Sequence, residues 1–125
     1  MISTYEKHQL LRVMEVRADG DTIYSKPDKA PQYKRGLNFL YQFVAINIRY
    51  PREAKKQGIE GQVYVSFVID EQGNVREVQA INGIGYGCDE EAERVLSEAT
   101  NWIPGEVDGK RVKVYLVLPV IFKLS

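Results

Sequence analysis

The sequence predicts an α+β domain, and three observations carry that prediction. Residues 61–70 and 111–124 alternate apolar and polar side chains with the two-residue period of strands. Residues 37–48 and 89–100 instead place their apolar residues at helical spacing. Asp70-Glu71-Gln72-Gly73-Asn74 joins the first strand to NVREVQAIN as an antiparallel hairpin, so the sheet is not assembled from parallel βαβ units.

At 125 residues the chain has the length of one domain, long enough to build a core without disulfides or metal. Residues 1–35 read as an N-terminal extension: LLRVMEV fits a short strand, and Pro27 and Pro31 among charges suggest an extended linker. From Gly36 on, the domain proper is expected over 36–125. Leu37, Leu40, Tyr41, Val44 and Ile48 form a helical stripe that Phe39, Phe43 and Ile46 widen. That helix stops before Tyr50-Pro51, because a residue preceding proline avoids the helical region. Pro51 opens a second short helix, PREAKKQ, and Gly58 closes it.

In GQVYVSFVID, Val63, Val65, Phe67 and Ile69 face one side, with Gln62, Tyr64, Ser66 and Asp70 on the other. Val75 and Ile81 break the alternation of the returning strand, which predicts a bulge. The helix DEEAERVLSEAT follows, its apolar stripe running through Cys88, Ala92, Val95, Leu96, Ala99 and Trp102. Asp89 is expected as its N-cap, with Glu90 and Glu91 favoured in the first turn by the helix dipole. Asp108-Gly109 turns the chain into the last strand. There Val112, Val114, Leu116, Leu118, Val120, Phe122 and Leu124 alternate with Lys113, Tyr115, Val117, Pro119, Ile121 and Lys123. Pro119 cannot donate to a ladder, so this strand is expected at an edge or a bulge. Arg111, Lys113 and Lys123 are the charges that discourage stray pairing there.

Several chemistries are disfavoured. Lysine plus arginine and aspartate plus glutamate both number 17, so no basic excess points to nucleic acid. His8 is the sole histidine and Cys88 the sole cysteine, too few for a metal site or an internal disulfide. No run reaches the ~18–20 apolar residues that span a bilayer, and the N-terminus lacks the apolar core of a signal peptide. Gly83, Gly85 and Gly87 precede an acidic helix start, a spacing that matches neither the dinucleotide fingerprint nor a P-loop, and the carboxylates would repel a phosphate. No catalytic set emerges; the chain is expected not to be an enzyme and to need no cofactor. Cys88 lies on the apolar side of its helix, an inert thiol.

The ordered series Tyr50-Pro51, Ala54, GIEGQV over 58–63, FVID over 67–70, Gly73, GIGYGCDEEAERVL, Trp102-Ile103-Pro104-Gly105, Gly109 with Val112, and Pro119 with Phe122 resembles the C-terminal domain of TonB proteins. It covers roughly residues 36–124. The helix before Tyr50 and the GCDEEA form are similar to Bacteroidetes-type members.

The resemblance implies two helices on one face of a three-stranded antiparallel sheet, here with an extra N-terminal helix, in the order second-first-third strand. It also implies a periplasmic domain tethered to the inner membrane by a segment outside this chain, where proton-channel partners supply energy. It implies binding of the TonB box, the N-terminal segment of outer-membrane receptors, by addition of a strand beside the last one. The residues expected to hold that segment are Asn47, Ile48, Arg49, Tyr50, Pro51, Arg111, Lys113, Tyr115, Val117, Ile121 and Lys123. Here Asn47-Ile48-Arg49 replaces the glutamine-proline-glutamine pattern of the best-known members. The rival reading is a free-standing domain that dimerises through the same edge strand.

Overall fold

The computed structural model describes residues 13–17 and 21–124. Among the described residues eight strands and three helices follow in chain order: β1 (Val13–Val16), β2 (Thr22–Tyr24), β3 (Gln32–Tyr33), α1 (Leu37–Asn47), α2 (Arg52–Lys56), β4 (Gly61–Ile69), β5 (Val75–Asn82), α3 (Cys88–Ser97), β6 (Trp102–Ile103), β7 (Gly105–Val107) and β8 (Lys110–Phe122). The α+β class is as expected. The expected order second-first-third is present as β5-β4-β8, with β4 antiparallel to both neighbours.

The sheet is larger than the three strands expected. Six strands join it, in the order β1-β2-β8-β4-β5, with β7 also on β8. β2 runs parallel to β8, Ile23 opposite Lys113 and Tyr24 opposite Val114, and β1 flanks β2. The reason is local: Ile23 is fully buried, and Thr22-Ile23-Tyr24 is a short run of strand-favouring residues that the nearby prolines obscure. β3 pairs with β6 in a separate two-stranded ribbon, where Tyr33 meets the Trp102 ring edge-on at 5.4 Å.

A core sits between the sheet and the helices. Val63, Val65, Phe67 and Ile69 of β4 and Val120 and Phe122 of β8 pack against Leu40 of α1, Ala54 of α2, and Cys88, Ala92, Val95 and Leu96 of α3. Each fully buried aliphatic or phenyl side chain contributes about 1.5–3 kcal/mol of transfer free energy. The register of β5 against β4 shifts at Ile81 and again at Glu77–Val78, so the alternation breaks where a bulge was expected and at one further place. α2 ends in a Schellman motif: Ile59 N–H donates to Ala54 C=O at 2.8 Å, and Gly58, at φ 68°, donates to Lys55 C=O.

The start of α3 departs from the reading above. Its N-cap is Gly87, in the left-handed region at φ 86°, and no side chain caps it. Asp89 turns back on the glycine loop instead, accepting from Ile84 N–H at 2.9 Å and Gly85 N–H at 3.2 Å. A Cβ on Gly83 would lie 2.1 Å from that carboxylate. The loop therefore spends its backbone donors on the protein's own aspartate.

Candidate functional site

β8 is 13 residues long, and its two halves have different neighbours. Lys110–Val112 pairs with β7 and Lys113–Val114 with β2, while β4 covers Val114–Phe122 on one side. Beyond Val114, no strand among the described residues pairs with the other edge of β8. Among the described residues the last strand is thus an open edge over its second half and an interior strand near Val114. A half-paired ladder leaves backbone donors and acceptors facing outward.

An apolar groove of about 180 Å³ runs beside that open half. Leu118, Pro119, Val120 and Ile121 form one wall. Consecutive β8 residues point to opposite faces, so a groove touched by all four follows the strand edge and not one face of the sheet. Tyr41, Val44, Ala45 and Ile48 of α1 and its C-cap form the other wall, with Leu40 and Leu96 beneath. Among the described residues, no charged one lines it.

The α1 wall is held by ions outside the groove. Arg94 of α3 forms a two-bond pair with Glu91, Nε to Oε1 at 2.8 Å and Nη2 to Oε2 at 2.7 Å, and meets Glu98 at 3.0 Å. Its Nη2 also donates to Asn47 C=O at 2.9 Å. Glu91 accepts from Arg49 N–H at 2.5 Å. The Arg94 guanidinium, against the opposing pull of burial and with help from Arg49 N–H, holds the Glu91 carboxyl below the usual range. The acidic helix start thus ties the end of α1 to α3.

The expected site residues divide accordingly. Ile48 and Ile121 both line the groove. Asn47 and Arg49 offer backbone atoms to the Arg94–Glu91 pair, and the Asn47 amide donates to Phe43 C=O at 2.8 Å. Tyr50 packs edge-on against Phe122 at 5.6 Å and its hydroxyl, pushed up by burial, donates to Ile59 C=O. Pro51 lies against Gly87. Tyr115 and Val117 lie on the open half, Val117 exposed, opposite Val68 and Ser66 of β4. Lys123 is exposed just past β8.

Arg111 and Lys113 sit at the far, paired end of the strand. Arg111 is opposite Glu106 of β7, and Lys113 reaches Glu71 at 3.0 Å and Asp21 at 3.2 Å. Those contacts, Glu71 first, raise the Lys113 ammonium despite partial burial.

The expected site residues did not include Leu40, Tyr41, Val44, Ala45, Leu96, Leu118, Pro119 or Val120, all of which line the groove. A signal was present: α1 carries no charged residue and has apolar side chains around most of its circumference, more than one sheet face can cover. Among the described residues no three His, Cys, Asp or Glu side chains converge as a metal would need, and no helix is long and apolar enough to cross a membrane. Cys88 is fully buried, and burial raises its thiol.

Comparison with known proteins agrees with this architecture. The family described as Gram-negative bacterial TonB protein C-terminal matches residues 46–124. The chain is 33% identical over 77 residues to protein TonB of Vibrio cholerae serotype O1; the match covers 62% of this chain and 32% of that protein. It is similar in fold to two solution structures of the Helicobacter pylori TonB C-terminal domain. The longer, residues 179–285 of that protein, gives a TM-score of 0.54 at 24% identity, covering 69% of this chain and 78% of the other. The shorter, residues 194–285, gives 0.55 at 24% identity, covering 69% and 90%. The matched stretch is about a third of the V. cholerae protein's length.

Proposed function

Because the chain belongs to the TonB C-terminal family, we propose that it serves as the receptor-gripping domain of a TonB-like energy transducer. It works in the periplasm, tethered to the inner membrane through a segment outside this chain. There, proton-channel partners provide the force that it passes to outer-membrane receptors.

The observation that carries this reading is the open half of β8 beside an apolar groove. An extended receptor segment adds as a strand along Tyr115–Phe122. Main-chain hydrogen bonds supply affinity, and alternate side chains enter the groove between Ile48 and Ile121. Asn47, Arg49, Tyr50 and Pro51 act by placing the α1 wall. Arg111 and Lys113 lie outside the contact.

The test uses two synthetic peptides of one receptor N-terminal segment, one natural and one N-methylated at alternate backbone nitrogens. Calorimetry should show binding of the first and a loss of roughly tenfold or more for the second, about one to two net hydrogen bonds. Equal affinity for both would rule out strand addition. A chain that dimerises tightly and binds neither would favour self-pairing of the edge.

A further inference from the structure

α1 also borders a second depression, a trough of about 400 Å³ whose described lining includes no residue of β8. Its apolar side is Phe39, Phe43 and Ile46, with Ile46 81% exposed and Phe39 45%. Its rim is the turn that leads into α1, Tyr33 to Gly36, closed by Gly36 N–H donating to Tyr33 C=O at 2.7 Å. Among the described residues, Lys34 and Arg35 of that turn are its only charged lining residues. Both are exposed, and neither has an ion-pair partner among the described residues.

Arg35 is held at φ 72°, a left-handed conformation that disfavours a non-glycine side chain. The result places its guanidinium 5.8 Å from the centre of the Phe39 ring, at the junction of the charged rim and the apolar floor.

We propose that this trough is a docking surface separate from the β8 edge, and that it takes an acidic segment of a partner protein bearing an apolar side chain. The apolar side chain covers Phe39, Phe43 and Ile46, while carboxylates answer Lys34 and Arg35. Charge complementarity selects this occupant over a second copy. α1 of another copy has no charged residue, so helix-on-helix pairing would leave both cations unmatched. An apolar floor with a cationic rim is the complement of an acidic, apolar-centred peptide.

The test is a titration followed by amide shifts. The probe is an acetylated hexapeptide with central leucine and phenylalanine, flanked on each side by two acidic residues. Saturable shifts are expected at Phe39, Ile46 and Asn101. Affinity should fall roughly tenfold for K34E/R35E, and equally for a probe with lysines in place of its acids, as two partly exposed pairs are lost. I46E should weaken binding too.

These surface variants should keep the wild-type spectrum elsewhere. No saturable shift, equal affinity for both probes, or shifts confined to Tyr115–Phe122 would overturn the proposal. So would shifts that appear on concentrating the chain alone, or only with anionic phosphatidylglycerol vesicles. Because the probe is unrelated to any receptor segment, failure here leaves strand addition at β8 to its own test.

Discussion

α1 and α3 invert the usual relation between apolar content and burial. α1 has no charged residue among its 11, yet only Leu40 is buried, and Leu37, Phe39, Tyr41 and Ile46 are exposed. α3 has five charged residues among its 10, yet buries Cys88, Ala92, Val95 and Leu96. A narrow apolar stripe aimed at a sheet is what folds a helix into a core; a broad one leaves surface to spare. α3 is a structural helix: Glu91 and Arg94 bond to each other and to the end of α1, Asp89 to the glycine loop and Glu93 to the Ala80 N–H of β5. α1 carries little of the core and walls both depressions.

The largest expected effect places the same charge on both helices. Val95→Asp puts an unpaired carboxylate at a site with no exposure, and should cost about 3–5 kcal/mol or prevent folding. Ile46→Asp on α1 should cost at most about 0.5 kcal/mol. Denaturant midpoints decide; comparable losses would erase the distinction between the helices.

Next comes the loop that starts α3. Gly83→Ala should destabilise by about 1–3 kcal/mol, because its Cβ collides with the Asp89 carboxylate. The double variant with Asp89→Ala should be less destabilised than the sum of the two single changes, the sign of a direct contact. Strict additivity would mean that the carboxylate is not the obstacle.

Asp70 tests the hairpin that joins β4 to β5, away from both helices. Burial alone pushes its carboxyl up, but the N–H groups of Asn74 and Gln72 and the Arg76 guanidinium outweigh it and hold it below the usual range. A depressed folded pKa contributes stability that is complete above the unfolded value, near 4, and is lost as pH falls through the folded one. Asp70→Asn should cost about 1–2 kcal/mol at pH 7 and flatten the stability curve below pH 4. An unchanged acid limb would remove Asp70 from that account.

The subtlest change is Arg94→Met. The core should stay intact while amide shifts spread through Asn47–Tyr50 and receptor-segment affinity drops severalfold, as the α1 wall loses its tie. Rescue by lysine should be poor, since a point charge cannot reproduce the two-bond pair with Glu91. Unaltered affinity would mean that α1 is positioned by packing alone.

Legibility in the sequence followed how local each signal was. β8 and α3 were readable because one face of each meets the core, which imprints a clean period on the residues; β4 was readable from Val63, Val65, Phe67 and Ile69, although Ser66 and Val68 on its other face are buried too. The ordered motifs from Tyr50 to Phe122 carried the family. β2 was hidden because three residues are too short for a period, and its partner lies some 90 positions away. Asp89 was misplaced because an aspartate before a helix suits an N-cap equally well; only the fold of Gly83–Gly87 shows that it faces backward. The groove at β8 was half legible. An edge could be inferred from Pro119, but which half stayed open depended on where β2 ends.

The most direct test of the central claim is amide hydrogen exchange along β8, free and with a receptor N-terminal segment. The account predicts protection through Lys110–Val114 in both states. Over Tyr115–Phe122 it predicts fast exchange at the outward-facing amides in the free chain, and slowing of at least tenfold on binding. Outward amides already protected without the segment, or unchanged by a saturating amount of it, would contradict the claim.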